Sequence, residues 1–577
     1  MIRWLASWTS AILLGLVVVA PLAGLVAAAA LDRGPDGAIR ASIFPAALTL
    51  LDPFVGACVR NSLLMASAVA VGSLIVGVAF GRLLGEWRFP LRWLVVAVLT
   101  VAAATPPAVL ALGWAVLVDG PGDRAWRGWF ERVGGVDRLA PLDWGWLGWF
   151  WAAVAQGGAL TALAYLSARE HLDPAWRDAA RLAGSSRNRV WWRLNWPLLR
   201  PAMGRTLGLV FAATLADPGA PLILGLRRTL GYQIVATALG PEPFPRIAVL
   251  ALIVLLLYSV VHLILHVWSG ADRLSHDPRL RRIASSRPAP AASPRRMLAA
   301  GGLAGFWTPL LIAPILALIA GALRSESFER LAEHHHSNEI GRWLADPVVV
   351  DLAARSALLG VCVLVLAAVS RRVIRGLQTA AKGASADRFE TFARLGAASP
   401  MIVGVVLLAV PGLVSMIADA TGGRSPMLND LAHWLGGDQA SFVLLSLAVW
   451  LALTPCWLAD RNRGAPPSTA EDSRCAAALL AGAGRGRARR LALGASWPAR
   501  LRPVAILAIV AATNIAPAVL FARSAEHSTL GPALLFLQEQ PGDGLATAAT
   551  LALVVFALNA AAALAGGSAN EPTHRTR

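Results

Sequence analysis

Lysine is almost absent from this chain. Lys382 is the only one in 577 residues, and every other basic side chain is arginine. That scarcity excludes one chemistry. A phosphate-cradling Walker loop needs a lysine after glycine and before serine or threonine. Lys382 follows Ala381 and precedes Gly383, so the chain cannot supply a standard loop of that kind. A His-Glu-x-x-His helix and a Gly-x-Ser-x-Gly elbow are also missing, which removes two common hydrolytic sites. Cysteine is scarce as well. Cys58, Cys362, Cys456 and Cys475 lie far apart and form no Cys-x-x-Cys pair, so they argue against a zinc site or a disulfide framework. They read as small apolar packing residues.

What is present is grease. Hydrophobic residues make up 56% of the chain and the mean hydropathy is +0.59. No water-soluble protein of this size hides so much apolar surface, so the solvent must be lipid. About twelve apolar runs reach the ~20 residues that a helix needs to cross a bilayer core. They fall near 5–30, 58–81, 92–118, 146–168, 202–225, 246–269, 299–322, 352–370, 395–419, 439–459, 503–523 and 542–566. The first is too long for a signal-peptide core and is read as a spanning helix. Pro106, Pro107 and Pro411 predict kinks in the third and ninth.

The net charge of +18 follows the same logic. Basic residues collect on the cytoplasmic side of spanning helices, so this excess points to membrane topology and not to nucleic acid. With the N-terminus inside, the inner loops are 169–201, 270–298, 371–394 and 460–502, and all four are rich in arginine. Outer loops such as 226–245 and 421–438 carry few. Both termini should then lie in the cytoplasm, and the protein should cross its membrane many times.

The stretch "RLSHDPRLRRIASSRPAPAASPRR" reads as a flexible linker, 271–298. It divides the chain into a first half, 1–270, and a second half, 299–577, of six helices each. Each half places its largest basic inner loop between its fourth and fifth helix. The fold class is therefore all-α: a polytopic membrane protein in two pseudo-symmetric halves, a plan that usually encloses a pathway.

The two inner loops share more than charge. In "HLDPAWRDAARLAGSSRNRV", Asp173 is an N-cap and Pro174 suits the first turn. A short helix over 174–183 should end at Gly184 in a left-handed conformation. Ser185 or Ser186 can cap a second short helix carrying Trp191 and Trp192, and Pro197 and Pro201 should turn the chain into the next span. The loop "PPSTAEDSRCAAALLAGAGRGRARRLALGASWPARLRP" repeats the plan, with a capping box at Ser468 and Glu471 and a helix end at Gly482.

The first loop resembles the cytoplasmic signature of binding-protein-dependent ABC importer permeases. That signature runs acid, two alanines, three residues, glycine, nine residues, an aliphatic residue, and a proline three further on. Asp178, Ala179, Ala180, Gly184, Leu194 and Pro197 occupy those positions, with aspartate for the usual glutamate and Trp196 for the leucine before proline. In the second loop Ala477, Ala478 and Gly482 match, but Ala476 stands where the acid belongs and Pro498 comes three residues late. The resemblance implies the fold of a type I importer permease, with the loops acting as coupling helices that dock into an ATPase groove. "LADPGAPLILG" (Leu215–Gly225) and "IAPAVLFARSAEHSTLGPALL" (Ile515–Leu535) are similar to the fifth-helix regions of fused ferric-iron permeases. Relatives with similar halves move thiamine, polyamines or phosphonates.

The resemblance implies a non-enzymatic permease subunit with no cofactor of its own. ATP would be used by separate ABC ATPase subunits, a dimer, and a periplasmic or lipid-anchored binding protein would deliver ferric iron. Two other classes compete. A gradient-driven secondary transporter fits twelve spans equally well, and a membrane enzyme would need clustered acids or histidines at one membrane face.

Pathway candidates follow from polar residues in apolar surroundings. Asp217 is a costly charge inside a span, and Pro218, Gly219 and Pro221 should break the helix beside it, as helices break where they line a cavity. Its counterparts in the second half are Thr513, Asn514 and Pro517. His334, His335 and His336 read first as exposed loop residues and are the chain's only metal candidates.

Overall fold

The computed structural model describes residues 20–33, 39–42, 44–87, 92–119, 144–170, 172, 174–240, 244–269, 294–323, 347–380, 425–435, 437–452, 518–521, 528–538 and 544–567, with isolated residues at 405–418 and 508–513. The chain is helical, as its composition requires. Among the described residues, six helices are long and apolar enough to cross a membrane, or seven if one bent pair is a single span. The expected span at 395–419 lies almost entirely outside the described residues, and more than half of the one at 503–523 does. One small departure from an all-helical chain is an antiparallel pair, β1 (Leu31–Arg33) and β2 (Ile39–Ala41), with Asp32 opposite Arg40. It follows α1 (Ala20–Ala30).

Two compact units emerge. The larger holds α2 (Phe44–Leu51), α3 (Pro53–Glu86), α4 (Arg92–Ala104), α5 (Pro107–Asp119) and α6 (Trp144–Glu170). It continues with α7 (Pro174–Leu182), α8 (Arg187–Val190), α9 (Trp196–Leu215), α10 (Gly219–Ile223), α11 (Leu230–Leu239), α12 (Phe244–Ser269) and α13 (Pro294–Leu323). The smaller holds α14 (Pro347–Ala380), α15 (Pro426–Leu435), α16 (Asp438–Ala452) and α17 (Ala518–Phe521). The helices α18 (Leu530–Gln538) and α19 (Gly544–Gly567) contribute to both.

The most intimate packing in the larger unit is α3 against α6. In lipid there is no hydrophobic drive between helices, so association relies on close approach of backbones. Gly77, Gly81 and Gly85 recur every fourth residue and form the seam. A side chain on Gly77 would collide with Thr161 and with the Gly158 carbonyl, and one on Gly81 would stand 2.6 Å from Tyr165. Across the seam, Gly157 faces Ser73 and Val210 of α9. The fourth-residue glycine spacing was visible in the sequence and is the missed signal for this contact.

Outward faces are equally apolar. Leu64, Val71 and Ile75 on α3, Leu256, Val260, Leu263 and Val267 on α12, and Leu358, Val361, Val365 and Val369 on α14 are all exposed. They fall at helical spacing. In water such stripes would drive association; against hydrocarbon they are the expected surface.

Two expectations are sharpened by the structure. The kink expected within 92–118 is a sharp break, with the arms α4 and α5 meeting at 95°. Pro106 and Pro107 supply no N–H, and a residue before proline is pushed out of the helical region, so two prolines in sequence turn the chain instead of bending it. Likewise, the outer loop expected at 226–245 contains α11, which buries Leu230, Ile234 and Val235. It is too short to cross a bilayer.

α13 lies along α5, with Gly113 in close approach to Pro314 and Trp307 edge-on to Phe80 at 6.0 Å. In the smaller unit α14 packs on α16 and α16 on α17. Gly360 there is pressed to the Ala508 carbonyl, 2.9 Å from where its Cβ would be.

Replacing Gly81 by valine should overpack the α3–α6 seam. We expect a loss of about 1–3 kcal/mol or more, read as a lowered melting midpoint in detergent, while Val71→Ala on the lipid face of the same helix stays near wild type.

Candidate functional site

The first candidate is the elbow between α6 and α9. α7 ends as its sequence predicts. Gly184 has φ +77, Gly184 N–H donates to the Arg181 carbonyl at 2.9 Å, and Ser185 N–H donates to the Ala180 carbonyl at 3.0 Å. These two bonds make a Schellman closure, which satisfies carbonyls that a helix end leaves open. One of the signature alanines, Ala180, thus supplies the carbonyl that locks the turn. Nothing lies within 4 Å of the space a Gly184 side chain would fill, so the glycine is required by its backbone angle. Ser186 starts the second arm: its carbonyl accepts from Val190 N–H at 3.0 Å, and its hydroxyl from Arg189 N–H at 3.4 Å.

The tip is open. Ala179, Arg181, Ala183 and Gly184 are exposed, Asp178 and Ala180 are half-buried, and Leu182 is 90% exposed. A leucine held bare at the apex of a rigid turn is a knob without a hole. Sequence reasoning passed over it, although it sits between two signature positions.

The second arm differs from expectation. No loop separates it from the next span. α8 runs into a π-helical turn, Trp191–Asn195, and that turn runs into α9. Pro197 lies in the first turn of α9 and Pro201 within it, so the prolines do not form a separate re-entry. Leu194 is half-buried and Pro197 exposed. The residues of the second loop, Ala477, Ala478 and Gly482, lie outside the described residues, as do His334, His335 and His336.

The second candidate lies at the other end of α9. Twenty residues of α-helix place it about 30 Å away. The helix stops at Leu215 and resumes as α10 from Gly219. Asp217 sits in the gap, facing protein. Its Oδ1 accepts from Gly219 N–H at 3.0 Å and its Oδ2 accepts from Trp149 Nε1–H at 3.2 Å. Trp149 on α6 is 1% exposed. Asp217 is therefore held by hydrogen bonds inside the bundle, where a charge without partners would be costly. Pro218, Gly219 and Pro221 are buried around it. Gly231 of α11 presses on the Asp217 carbonyl so closely that no side chain fits there.

The chain then turns through Gly225 at φ +66 into a fastened loop. Thr229 Oγ1 donates to the Leu226 carbonyl at 2.9 Å, and Leu230 N–H donates to Ser62 Oγ at 2.8 Å. The same fastening recurs in the second half, where Leu530 N–H donates to Ser356 Oγ at 2.9 Å. Both leucines stand in a Thr-Leu-Gly triplet, 229–231 and 529–531. Thr214 Oγ1 donates to the Val210 carbonyl at the end of α9, and Thr513 Oγ1 makes the matching bond to Ile509 at 2.8 Å. Asn514 and Pro517 lie outside the described residues, and α17 follows where α10 stands in the first half. No cluster of three metal-ligating side chains occurs among the described residues.

The Asp217–Trp149 bond makes a coupled pair. Trp149→Phe and Asp217→Asn should each lower stability by roughly 1–3 kcal/mol. The double variant should lose less than the sum, since both remove one contact; a thermal-melt double-mutant cycle in detergent measures it.

Comparison with known proteins meets this geometry. Residues 77–270 match the family model described as the binding-protein-dependent transport system inner membrane component. The elbow, its flanking spans and Asp217 all lie inside that range. The chain is 24% identical over 238 residues to the putative ferric transport system permease protein FbpB 1 of Haemophilus influenzae, covering 38% of this chain and 35% of that protein. It is 22% identical over 227 residues to the ferric transport system permease protein FbpB of Actinobacillus pleuropneumoniae, covering 37% and 31%. It is 28% identical over 222 residues to the molybdenum transport system permease protein ModB of Escherichia coli K12, covering 36% and 90%. The match spans about a third of the length of the ferric relatives. Residues 77–270 are thus a segment similar to the inner membrane component of binding-protein-dependent transport systems, carried in a multi-pass membrane protein.

Proposed function

We propose that the chain is the permease subunit of an ABC importer. It forms a pathway for cargo brought by a periplasmic or lipid-anchored binding protein, and separate ATPase subunits drive it. It performs no covalent chemistry. The observation that carries this reading is the elbow: a Schellman-closed turn at the signature positions, with Leu182 bare at its apex and the span to Asp217 rising directly from its second arm. The elbow faces the cytoplasm, both termini lie on that side, and two ATPase subunits grip the chain, one at 174–184 and one at the second loop, 460–502.

We read the chain as two fused permease halves. The recurring Ser–Leu fastening, the paired Thr-Leu-Gly triplets and the matching threonine bonds before the two breaks support that reading. Length supports a ferric cargo: 238 residues make only 35% of FbpB 1, whereas 222 residues make 90% of ModB, so this long chain is built on the scale of the ferric relatives. A molybdenum oxyanion is the second reading, favoured by the 28% identity to nearly the whole of ModB.

The elbow should be dispensable to folding and indispensable to partner binding. Leu182→Glu should change the melting midpoint little, within about 0.5 kcal/mol, because Leu182 touches almost nothing. It should abolish copurification of ABC ATPase subunits from native membranes. Gly184→Pro combined with bulky residues at Ala179 and Ala180 should do the same. ATPase binding that survives both sets of changes contradicts the coupling assignment.

A further inference from the structure

The root of the elbow is braced by tryptophans in a way that interfacial anchoring does not explain. Tryptophan is common at membrane interfaces, where its ring lies among the lipid headgroups. Trp191 does the reverse: it is 6% exposed and points into the bundle. Its ring stacks on Trp196 at 5.6 Å and 27°, and meets Trp192 edge-on at 4.4 Å and 86°. The Arg82 guanidinium of α3 covers it at 4.8 Å, and Arg82 is itself held by Glu86 at 3.4 Å. Trp196 continues the lattice to Trp268 of α12, edge-on at 6.2 Å, and Arg200 caps Trp268 at 4.5 Å. Three spans, α3, α9 and α12, are thereby tied to one turn.

The π turn is the reason the stack exists. In an α-helix, residues five apart point about 140° away from each other. Trp191 and Trp196 are five apart and would face different sides. A π turn closes its hydrogen bond from residue i to i+5 and holds the extra residue. Trp196 N–H bonds to the Trp191 carbonyl in that way, which brings both rings onto one face. π turns are costly and recur at functional sites; here the return is the aromatic stack.

We propose that Trp191, with Arg82 above it, is the positioning residue that couples the elbow to the spans. It makes the elbow and the inner ends of α3, α9 and α12 move as one body when a partner pulls on the tip. The inference rests on the permease reading, and it assigns the transmitting joint as distinct from the docking tip. Trp191 touches no partner. It acts through the elbow's orientation, so its loss uncouples the partners without releasing them.

The test uses the full chain copurified with its ATPase from native membranes, reconstituted in lipid nanodiscs with its cargo-loaded binding protein. Trp191→Leu and Arg82→Gln should keep the ATPase bound and keep basal hydrolysis. Stimulation of hydrolysis by the loaded binding protein should fall at least about fivefold, the scale of a typical coupling between sites. Trp191→Phe, which keeps an aromatic face for Arg82, should restore most of it. Gel filtration before reconstitution confirms that each variant is folded, and Arg82→Gln carries the test if Trp191→Leu is not. Stimulation at wild-type level in both variants overturns the inference. So does loss of ATPase binding in folded variants, because Trp191 would then belong to the dock. Failure of the wild-type chain to bind any ATPase overturns the permease reading instead.

Discussion

The close approach of α3 and α6 is the constraint on which the rest depends. In lipid, helices gain little by hiding apolar side chains from one another, so a stable pair needs backbone contact. Gly77 and Gly81 provide it by admitting Thr161 and Tyr165. Tyr165 then forms a buried cluster with Leu199 and Met203 of α9 near the elbow. Sixteen residues back along α6, about 24 Å at 1.5 Å per residue, Trp149 holds Asp217 beyond the other end of α9. One helix thus fastens α9 at both extremities, and the seam with α3 fixes that helix.

α9 can consequently act as a rod. Its N-terminal end grows out of the elbow without an intervening loop, through the π turn and its tryptophans. Its C-terminal end stops at a break where Asp217, Gly231 and buried prolines crowd together. The fastening of the following loop to Ser62 on α3 closes the circuit, returning to the same seam. Among the described residues, Leu182 at the elbow's tip is the most exposed large apolar side chain.

Much of this was legible because it is local. Gly184 ends a helix for reasons contained within a few residues, and the proline and glycine pattern after Asp217 breaks a helix wherever it stands. The apolar runs declare lipid. What escaped was tertiary. The π turn sets Trp191 against Trp196 and beneath Arg82, a residue more than a hundred positions earlier, and no local pattern encodes that. The sequence places a kink at Pro106 but not its 95° size, because proline removes a donor without saying how far the chain will swing. The helix α11 looks like a loop in the sequence because ten residues, Gln233 and Thr237 among them, are too few to span a bilayer. The seam glycines were readable and overlooked.

The account makes the elbow a handle for an ATP-driven partner, and one measurement separates that from transport driven by an ion gradient. The full chain is reconstituted into vesicles with the ATPase and binding protein that copurify with it, and uptake of ferric iron is followed, with molybdate in parallel. Uptake of one of them should require ATP on the elbow side and should persist when ionophores collapse every ion gradient. Uptake that runs without ATP and stops when the gradients collapse would contradict the account.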